Sequence, residues 1–259
     1  MRSSLIIVRH HMGDAVLSVI FEERAVAFID VLGFSPLVNG AALDEEKRIQ
    51  LERLVNLLES AIPVLDNGVS RQVLEHLIPR HLYVSDSIIL SAPLDDVSMK
   101  SYKGLEIVVM RVIQLTHRLL DAGYLLRGGI TVGKVWHGDA NIVGPAYQDA
   151  YELERTVDHP CGVLSESAKQ VWSKGFGASS RMCVKNGGTL MVNGLHDYYV
   201  PDRSHGGVER AYSKYRVLVK ENIKCGEPEK LAKWQWFGDY LESEASEAKK
   251  WPGCSVGAD

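Results

Sequence analysis

Residues 25–34, AVAFIDVLGF, decide the fold of this chain. A short apolar run of this kind is typical of a buried strand, and Gly33 ends it. Asp30 lies inside the run, where an unpaired carboxylate costs roughly several kcal/mol. That cost is offset if a cation binds Asp30, or if the strand has an open end at this point. The alternative is an acid that only caps the following turn.

The turn that follows, Leu32-Gly33-Phe34-Ser35, is a candidate phosphate site. Glycine lets a ligand approach the backbone closely, and successive N–H groups in such a turn bind anions. We therefore expect this turn to hold phosphate groups if the chain binds a phosphorylated substrate.

A second acid, Asp86, lies in a predicted hairpin over residues 80–92 with its turn at Ser85-Asp86-Ser87. Taken alone, Asp86 is ordinary turn chemistry. Together with Asp30 it forms a pair of acids at strand ends beside a glycine turn. This arrangement is typical of phosphoryl transfer, in which both carboxylates bind two divalent ions.

The remaining periodicity predicts alternating helices and strands around this pair. Helices are expected over 44–62, 105–120, 145–157, 208–223 and 228–250, and further strands over 124–137, 161–164 and 181–200. Asp44 and Ser165 are expected helix N-caps. This order predicts a mixed α/β sheet covered on one face by helices. The aromatic cluster of Trp234, Trp236 and Phe237 indicates packing or a dimer contact.

Composition sets outer limits on function. The chain has 259 residues, of which 46% are apolar, and a formal charge of −4. It therefore lacks the basic field of a general nucleic-acid binder. The charge does not exclude binding of a small phosphorylated substrate. The four cysteines form no CxxC pair and are expected to be reduced thiols. The apolar run at 5–8 is too short for a signal peptide, and no stretch would span a membrane, so we expect a cytoplasmic protein.

The ordered set of motifs resembles the class III nucleotidyl cyclases over roughly residues 24–200. Residues 28–34, FIDVLGF, match the family's F-x-D-φ-x-G-F strand, where φ is apolar, and Asp86 corresponds to its second metal-binding acid. Residues 127–133, RGGITVG, match its R-φ-G-φ-x-x-G strand acceptably. The resemblance implies a ferredoxin-like mixed sheet, with an N-terminal extension at 1–23, a catalytic domain at 24–205 and a C-terminal helical extension at 206–259.

The resemblance also implies roles for individual residues. Asp30, Asp86 and the Val31 carbonyl would bind two Mn²⁺ or Mg²⁺ ions. The other candidate substrate-binding residues are Phe28, Leu32, Gly33, Phe34, Ser35, Leu82, Tyr83, Arg127, Asn141, Gln148 and Lys185. Arg127 can alternatively be a structural surface arginine. Two protomers would meet head to tail as a homodimer with composite sites.

The sequence departs from the family pattern at the base pocket and at one catalytic arm. Gln148 and Glu152 stand where the family has its transition-state Asn and Arg. Leu82 stands at the purine-selecting Lys, and Asn141 at the partner acid. Because both metal acids are kept, the chain is similar to the divergent bacterial branch of Pycsar anti-phage defence, which makes cyclic pyrimidine nucleotides.

That branch implies conversion of UTP to cyclic UMP, with CTP to cyclic CMP as the alternative. Its product would be read by a co-encoded TIR-domain or membrane effector. A hypothesis of another class is a silent cyclase-like nucleotide sensor, which Gln148 and Glu152 favour. An adenylate or guanylate cyclase is disfavoured by Leu82 and Asn141.

Other motifs are weaker. Residues 128–135, GGITVGKV, nearly spell a P-loop, but Val135 cannot hold magnesium where Ser or Thr is needed. His81 is expected to be an ordinary strand residue, and His10 and His11 ordinary N-terminal residues.

Overall fold

The computed structural model describes residues 18–67, 69, 73–225 and 228–248. Its sheet has eight strands: β1 Glu22–Val31, β2 Arg80–Val84, β3 Ser87–Pro93, β4 Leu126–His137, β5 Ile142–Val143, β6 Gly162–Leu164, β7 Cys183–Asn186 and β8 Thr189–Val192. The helices are α1 Phe34–Ala41, α2 Glu45–Asp66, α3 Gly104–Asp121, α4 Pro145–Arg155, α5 Glu166–Lys174, α6 Gly207–Cys225 and α7 Pro228–Ala248. Short 3₁₀ turns lie at Glu75–Leu77, Phe176–Ser179 and Asp197–Tyr199.

The strand order is β2-β3-β1-β4-β6-β8-β7, with β5 paired to β4. The first four of these strands are antiparallel, with α1 and α2 between β1 and β2 and with α3 between β3 and β4. This is the β-α-β-β-α-β arrangement of the ferredoxin-like fold. β6 adds to β4 in parallel, so the sheet is mixed. The fold class predicted from the sequence is confirmed.

Helices cover both faces of the sheet. Alternate residues of β1, Ala25, Ala27 and Ile29, pack in the core formed with α2, α3 and α5. The intervening residues Val26 and Phe28 pack against α4. The expectation of helices on one face alone was therefore wrong, because the helix after β4 crosses to the side opposite α2 and α3.

Most predicted elements lie close to their expected bounds. The Asp44 side chain accepts hydrogen bonds from the N–H groups of Glu46 and Lys47, and Ser165 accepts from Ala168, so both predicted N-caps are confirmed. α2 continues past Pro63 to Asp66. The sequence reading missed α1, a short helix whose Phe34 and Leu37 are only partly buried where they pack against the core.

The C-terminal helices share a core with the sheet. Trp234 and Phe237 of α7 and Tyr215 of α6 are buried beside Val163 and Met191 of β6 and β8. Trp236 stacks on His159 with ring centroids 4.8 Å apart. The aromatic cluster therefore packs within the chain.

Several expectations concern residues outside the described ranges or go untested. Residues 1–17, with the apolar run at 5–8 and with His10 and His11, and residues 249–259 lie outside them. The three domain boundaries stay a prediction. Of the described helices, none combines the length and the apolar character that a membrane span needs.

Gly129 tests the close packing of β4 on α4. A Cβ at this position would lie 2.3 Å from the Ala150 carbonyl oxygen and 2.8 Å from the Glu154 nitrogen. Because both atoms are backbone, we expect Gly129→Ala to lower the free energy of unfolding by roughly 1–3 kcal/mol.

Gly133→Ala is the matched control on the same strand. Its Cβ would meet only the Ala146 side chain, at 3.5 Å. Denaturant unfolding of both variants should show a loss for Gly129→Ala and a change within roughly 0.5 kcal/mol for Gly133→Ala. Equal stability of the two variants would contradict the close approach of α4.

Candidate functional site

The end of β1 is joined to the turn between β2 and β3. Asp30 is the register partner of Ser87 in β3 and of Arg127 in β4. The Val31 N–H donates to the Asp86 carbonyl oxygen over 3.1 Å. These pairings fix Asp86 beside the last residues of β1, so the structure brings together the two acids that the sequence singled out.

The Asp30 and Asp86 carboxyl groups are close enough to interact directly. The pKa of Asp30 is raised to about 7, first by burial, then by the negative charges of Asp86 and Glu154. Arg127 opposes this shift, and a hydrogen bond with the Asp86 side chain adds to it. Two carboxylates this close need a proton or a cation between them.

Arg127 is divided between two acids. Its guanidinium lies 4.0 Å from Asp30 but only 2.5 Å from Glu154, and it also donates to the Val157 carbonyl oxygen over 3.2 Å. Glu154 is 3% exposed. The main partner of Arg127 is therefore the buried acid of α4, which agrees with the structural alternative for Arg127.

The sequence reading missed Glu154, although a signal was present. Ala146, Ala150 and Glu154 lie at i, i+4 and i+8 on α4, and all three are buried. An acid on the apolar stripe of a helix indicates a buried cationic partner.

The turn after β1 forms the N-terminus of α1. Gly33 is its N-cap with φ +90°, and an added Cβ there would meet nothing within 4 Å. The N–H groups of Phe34 and Ser35 belong to the first helical turn, where no acceptor exists within the helix. The Leu32 N–H instead donates to the Leu125 carbonyl oxygen over 2.9 Å. The Leu32 N–H is therefore already paired, and it is not available to bind a phosphate oxygen as predicted.

The candidate base-contacting residues divide between the faces of the sheet. Leu82 packs in the same cluster as Phe28, on the face that carries α4. Phe28 also meets Tyr151 of α4 edge to face at 5.1 Å. Tyr83 packs on the opposite face, and its hydroxyl accepts from the Ile62 N–H over 3.4 Å. The structure therefore groups Leu82, and not Tyr83, with the face of Asp30.

The other predicted residues are exposed. Asn141 and Gln148 are exposed, as is Glu152, and the Asn141 side chain accepts from the Ile142 N–H. Lys185 is exposed on β7, the edge strand four positions from β1. At about 4.8 Å per strand this is roughly 19 Å from β1 within the sheet. One chain does not bring Lys185 to Asp30.

The donor set at the β1 end fits a hard divalent cation. Within the described residues no group of three or more His, Cys, Asp or Glu side chains could hold a metal ion. The pair of carboxylates supplies charged oxygen atoms, the donors that Mg²⁺ and Mn²⁺ prefer. Burial is the first cause of the raised pKa of Asp30, and the negative charges of Asp86 and Glu154, which add to it, would attract a cation.

Comparison with known proteins gives structural likeness only. No protein-family model matches the sequence, and no curated protein matches it. The chain is similar to the adenylyl cyclase CyaB from P. aeruginosa, at 14% identity and TM-score 0.47, over 68% of this chain and 94% of that one. It is similar to the guanylyl cyclase domain of the RhoGC fusion protein from the aquatic fungus Blastocladiella emersonii, at 17% identity and TM-score 0.46, over 67% and 95%.

A third similar structure covers more of this chain. It is a class III adenylyl cyclase-like ATP-binding protein from Pseudomonas aeruginosa, at 11% identity and TM-score 0.40, over 89% of this chain and 44% of that one. At such identities and TM-scores, the function of this chain must be inferred from its own residues.

Asp30→Asn tests the crowding of the acids without any assay of function. The folded pKa of about 7 lies above the ordinary value of 3.8, so folded protein keeps a proton that unfolded protein loses between those pH values. Wild-type stability should therefore fall as pH rises through this window. Asparagine carries no charge, so in EDTA we expect the variant to be more stable by roughly 1–3 kcal/mol at pH 8.

The difference between the two proteins should vanish near pH 4. Asp239→Asn, at an exposed position on α7, is the control and should follow the wild type at every pH. A wild-type advantage over Asp30→Asn at pH 8 would contradict the raised pKa.

Proposed function

We propose that this chain is a nucleotidyl cyclase, which closes a nucleoside triphosphate into a 3′,5′-cyclic monophosphate and releases pyrophosphate. The observation that carries the proposal is the pair of interacting carboxyl groups, Asp30 and Asp86, at the end of the central strand of a ferredoxin-like sheet. Directly after them the chain presents the N-terminus of α1 at Gly33.

In this proposal Asp30, Asp86 and the Val31 carbonyl would hold two Mn²⁺ or Mg²⁺ ions. Bound there, the ions would supply Lewis acidity to the ribose 3′-hydroxyl and neutralise charge on the phosphates. Asp30 must lose its proton to bind a cation, so the raised pKa predicts stronger metal binding as pH rises toward 8.

The chain's own residues would position the triphosphate. The N–H groups of Phe34 and Ser35 would bind phosphate oxygens at the positive end of the α1 dipole. Arg127 would add a cation from β4 beside Asp30. The 3′-hydroxyl loses its proton to solvent water, its oxygen forms a bond to the α-phosphorus while the bond to the bridging oxygen breaks, and pyrophosphate leaves in line.

UTP is the proposed substrate, with CTP as the alternative. Leu82, on the face of Asp30, is apolar and lacks the amine that selects purines in the resembling family. Asn141 offers a donor and an acceptor to a pyrimidine edge, which suits uracil and cytosine alike. The choice of UTP, a role in anti-phage defence and a co-encoded TIR or membrane effector all rest on the resemblance to the Pycsar branch.

A homodimer with composite sites is part of the proposal. Lys185 lies about 19 Å from β1 within one chain, too far for one triphosphate to bridge through direct contacts. Gln148 and Asn141 are exposed and could face a partner. We therefore assign Lys185 to the site built on the partner's metal acids.

A silent nucleotide sensor is the second candidate. The observation that favours it is the 2.5 Å ion pair between Arg127 and buried Glu154, because this pair competes with phosphate for the Arg127 guanidinium. Gln148 and Glu152 also lack the chemistry of the family's transition-state arm. The retained acid pair favours the enzyme.

Turnover tests the enzyme directly. Pure protein is incubated with Mn²⁺ and each of ATP, GTP, CTP and UTP, and products are identified by mass spectrometry. We expect cyclic UMP, and loss of roughly 10³-fold or more in Asp30→Asn, because metal charge stabilisation is worth several kcal/mol.

Asp95→Asn is the matched control, since this exposed acid follows β3 at the opposite end of the sheet. It should keep wild-type turnover. No cyclic product from any of the four nucleotides would favour the sensor, and full activity of Asp30→Asn would overturn the assignment of the acids.

Mixing two variants tests the composite site. If Lys185 serves the partner's acids, a heterodimer of Asp30→Asn and Lys185→Ala contains one intact site. We expect each variant alone to be impaired and an equal mixture, after subunit exchange, to regain about a quarter of wild-type activity. A mixture with only the mean activity of its two components would show that Lys185 and Asp30 do not share a site across the interface.

A further inference from the structure

A cavity of about 660 Å³ lies between α1, α2 and the start of α7. This volume is within the range of small-molecule sites. The turn from Ala122 to Leu125 and part of α6, at Asn222, complete its wall. None of Asp30, Asp86 and Arg127 lines it. The Leu32-Gly33 turn forms one wall, so the cavity adjoins the acid pair but opens on the side of α2.

The lining of the cavity is strongly basic. Lys47 and Arg53 project into it from α2, and Lys230 and Lys233 from α7. Among the described lining residues there is no acid, although the whole chain has 33 acidic and 29 basic side chains. The like charges of Lys47, Arg53 and Lys233 line one space and repel one another. An anion in the cavity would turn that repulsion into attraction.

The spacing of the cations places them on one face of each of two helices. Lys230 and Lys233 are three residues apart on α7, and Lys47, Gln50 and Arg53 follow the same spacing on α2. Residues at this spacing share one helix face. Two cationic rows from separate helices therefore point into one space.

Neutral groups in the same wall suit the rest of a nucleotide-sized ligand. Gln50 and Asn222 offer amides, while Leu54, Tyr124 and Trp234 form an apolar and aromatic surface. Trp234 is itself 5% exposed and anchored in the core with Phe237, so this surface is rigid.

We propose that this cavity is a second binding site, for a multiply phosphorylated small molecule of nucleotide size. The cations of α2 and α7 bind its phosphates, and the C-terminal helices exist in part to complete the site. The phosphates belong either to a separate effector or to the terminal groups of a substrate that reaches past Gly33.

Calorimetric titration with inorganic tripolyphosphate tests the site on the full chain. EDTA is included, so that divalent ions at the acid pair do not contribute. The cavity variant is Lys230→Gln/Lys233→Gln. The control, Lys220→Gln/Lys224→Gln, makes the same charge change at exposed positions of α6 outside the cavity. Thermal melts establish that all three proteins are folded.

We expect wild type and control to bind tripolyphosphate alike, and the cavity variant about tenfold more weakly or worse, because two charge-assisted contacts are lost. Affinity should fall as salt is added. Equal binding by the cavity variant and wild type, or no binding by wild type, would overturn the site.

Filling the acid pair first separates the two sources of phosphate, so Mn²⁺ and one equivalent of an unreactive UTP analogue replace EDTA. If the cavity takes the substrate's terminal phosphates, the analogue abolishes the tripolyphosphate heat. If it takes a separate effector, the heat persists. Both readings require the site, and neither requires turnover, so an absence of cyclase activity would leave this inference standing.

Discussion

The crowding of two carboxyl groups at the end of β1 is the constraint on which the site depends. The hydrogen bond from the Val31 N–H to the Asp86 carbonyl oxygen holds the hairpin turn against the strand. Partial burial then makes a full negative charge on Asp30 unfavourable, and its pKa rises to about 7. The fold thus keeps two acids where only a proton or a cation relieves their repulsion.

The rest of the site is arranged around that charge. β4 places Arg127 opposite Asp30. The buried acid Glu154 of α4 lies closer to the Arg127 guanidinium than Asp30 does. Arg127 therefore balances two acids. In this respect the chain differs from a site in which the strand arginine binds only phosphate. Glu154 lies on the same helix as Gln148 and Glu152. Two of the four departures from the pattern of the resembling family, Gln148 and Glu152, lie on α4.

The sequence predicted those parts of the structure that depend on local patterns. The buried strand, the hairpin around Asp86, the caps at Asp44 and Ser165 and the C-terminal helices all have periodic or capping signals. The sequence did not predict the features that depend on tertiary packing. The side of the sheet that α4 covers and the edge position of β7 follow from strand order, which has no local signal. Lys185 is for this reason remote from Asp30 within one chain.

Strand alternation alone separates Leu82 from Tyr83, so the two could have been assigned to opposite faces in advance. Glu154 was also within reach, since it continues the buried stripe of Ala146 and Ala150. The helix α1 also carried a signal, since its apolar residues Phe34 and Leu37 are three positions apart and both pack against the core.

We propose that Asp30 and Asp86 together form a divalent metal site. Electron paramagnetic resonance of Mn²⁺ titrated into the protein with an unreactive UTP analogue measures this directly. We expect two bound ions per site in the wild type, and affinity lower by roughly 100-fold or more in Asp86→Asn. Equal Mn²⁺ affinity in the two proteins, or no Mn²⁺ bound by the wild type, would contradict the account.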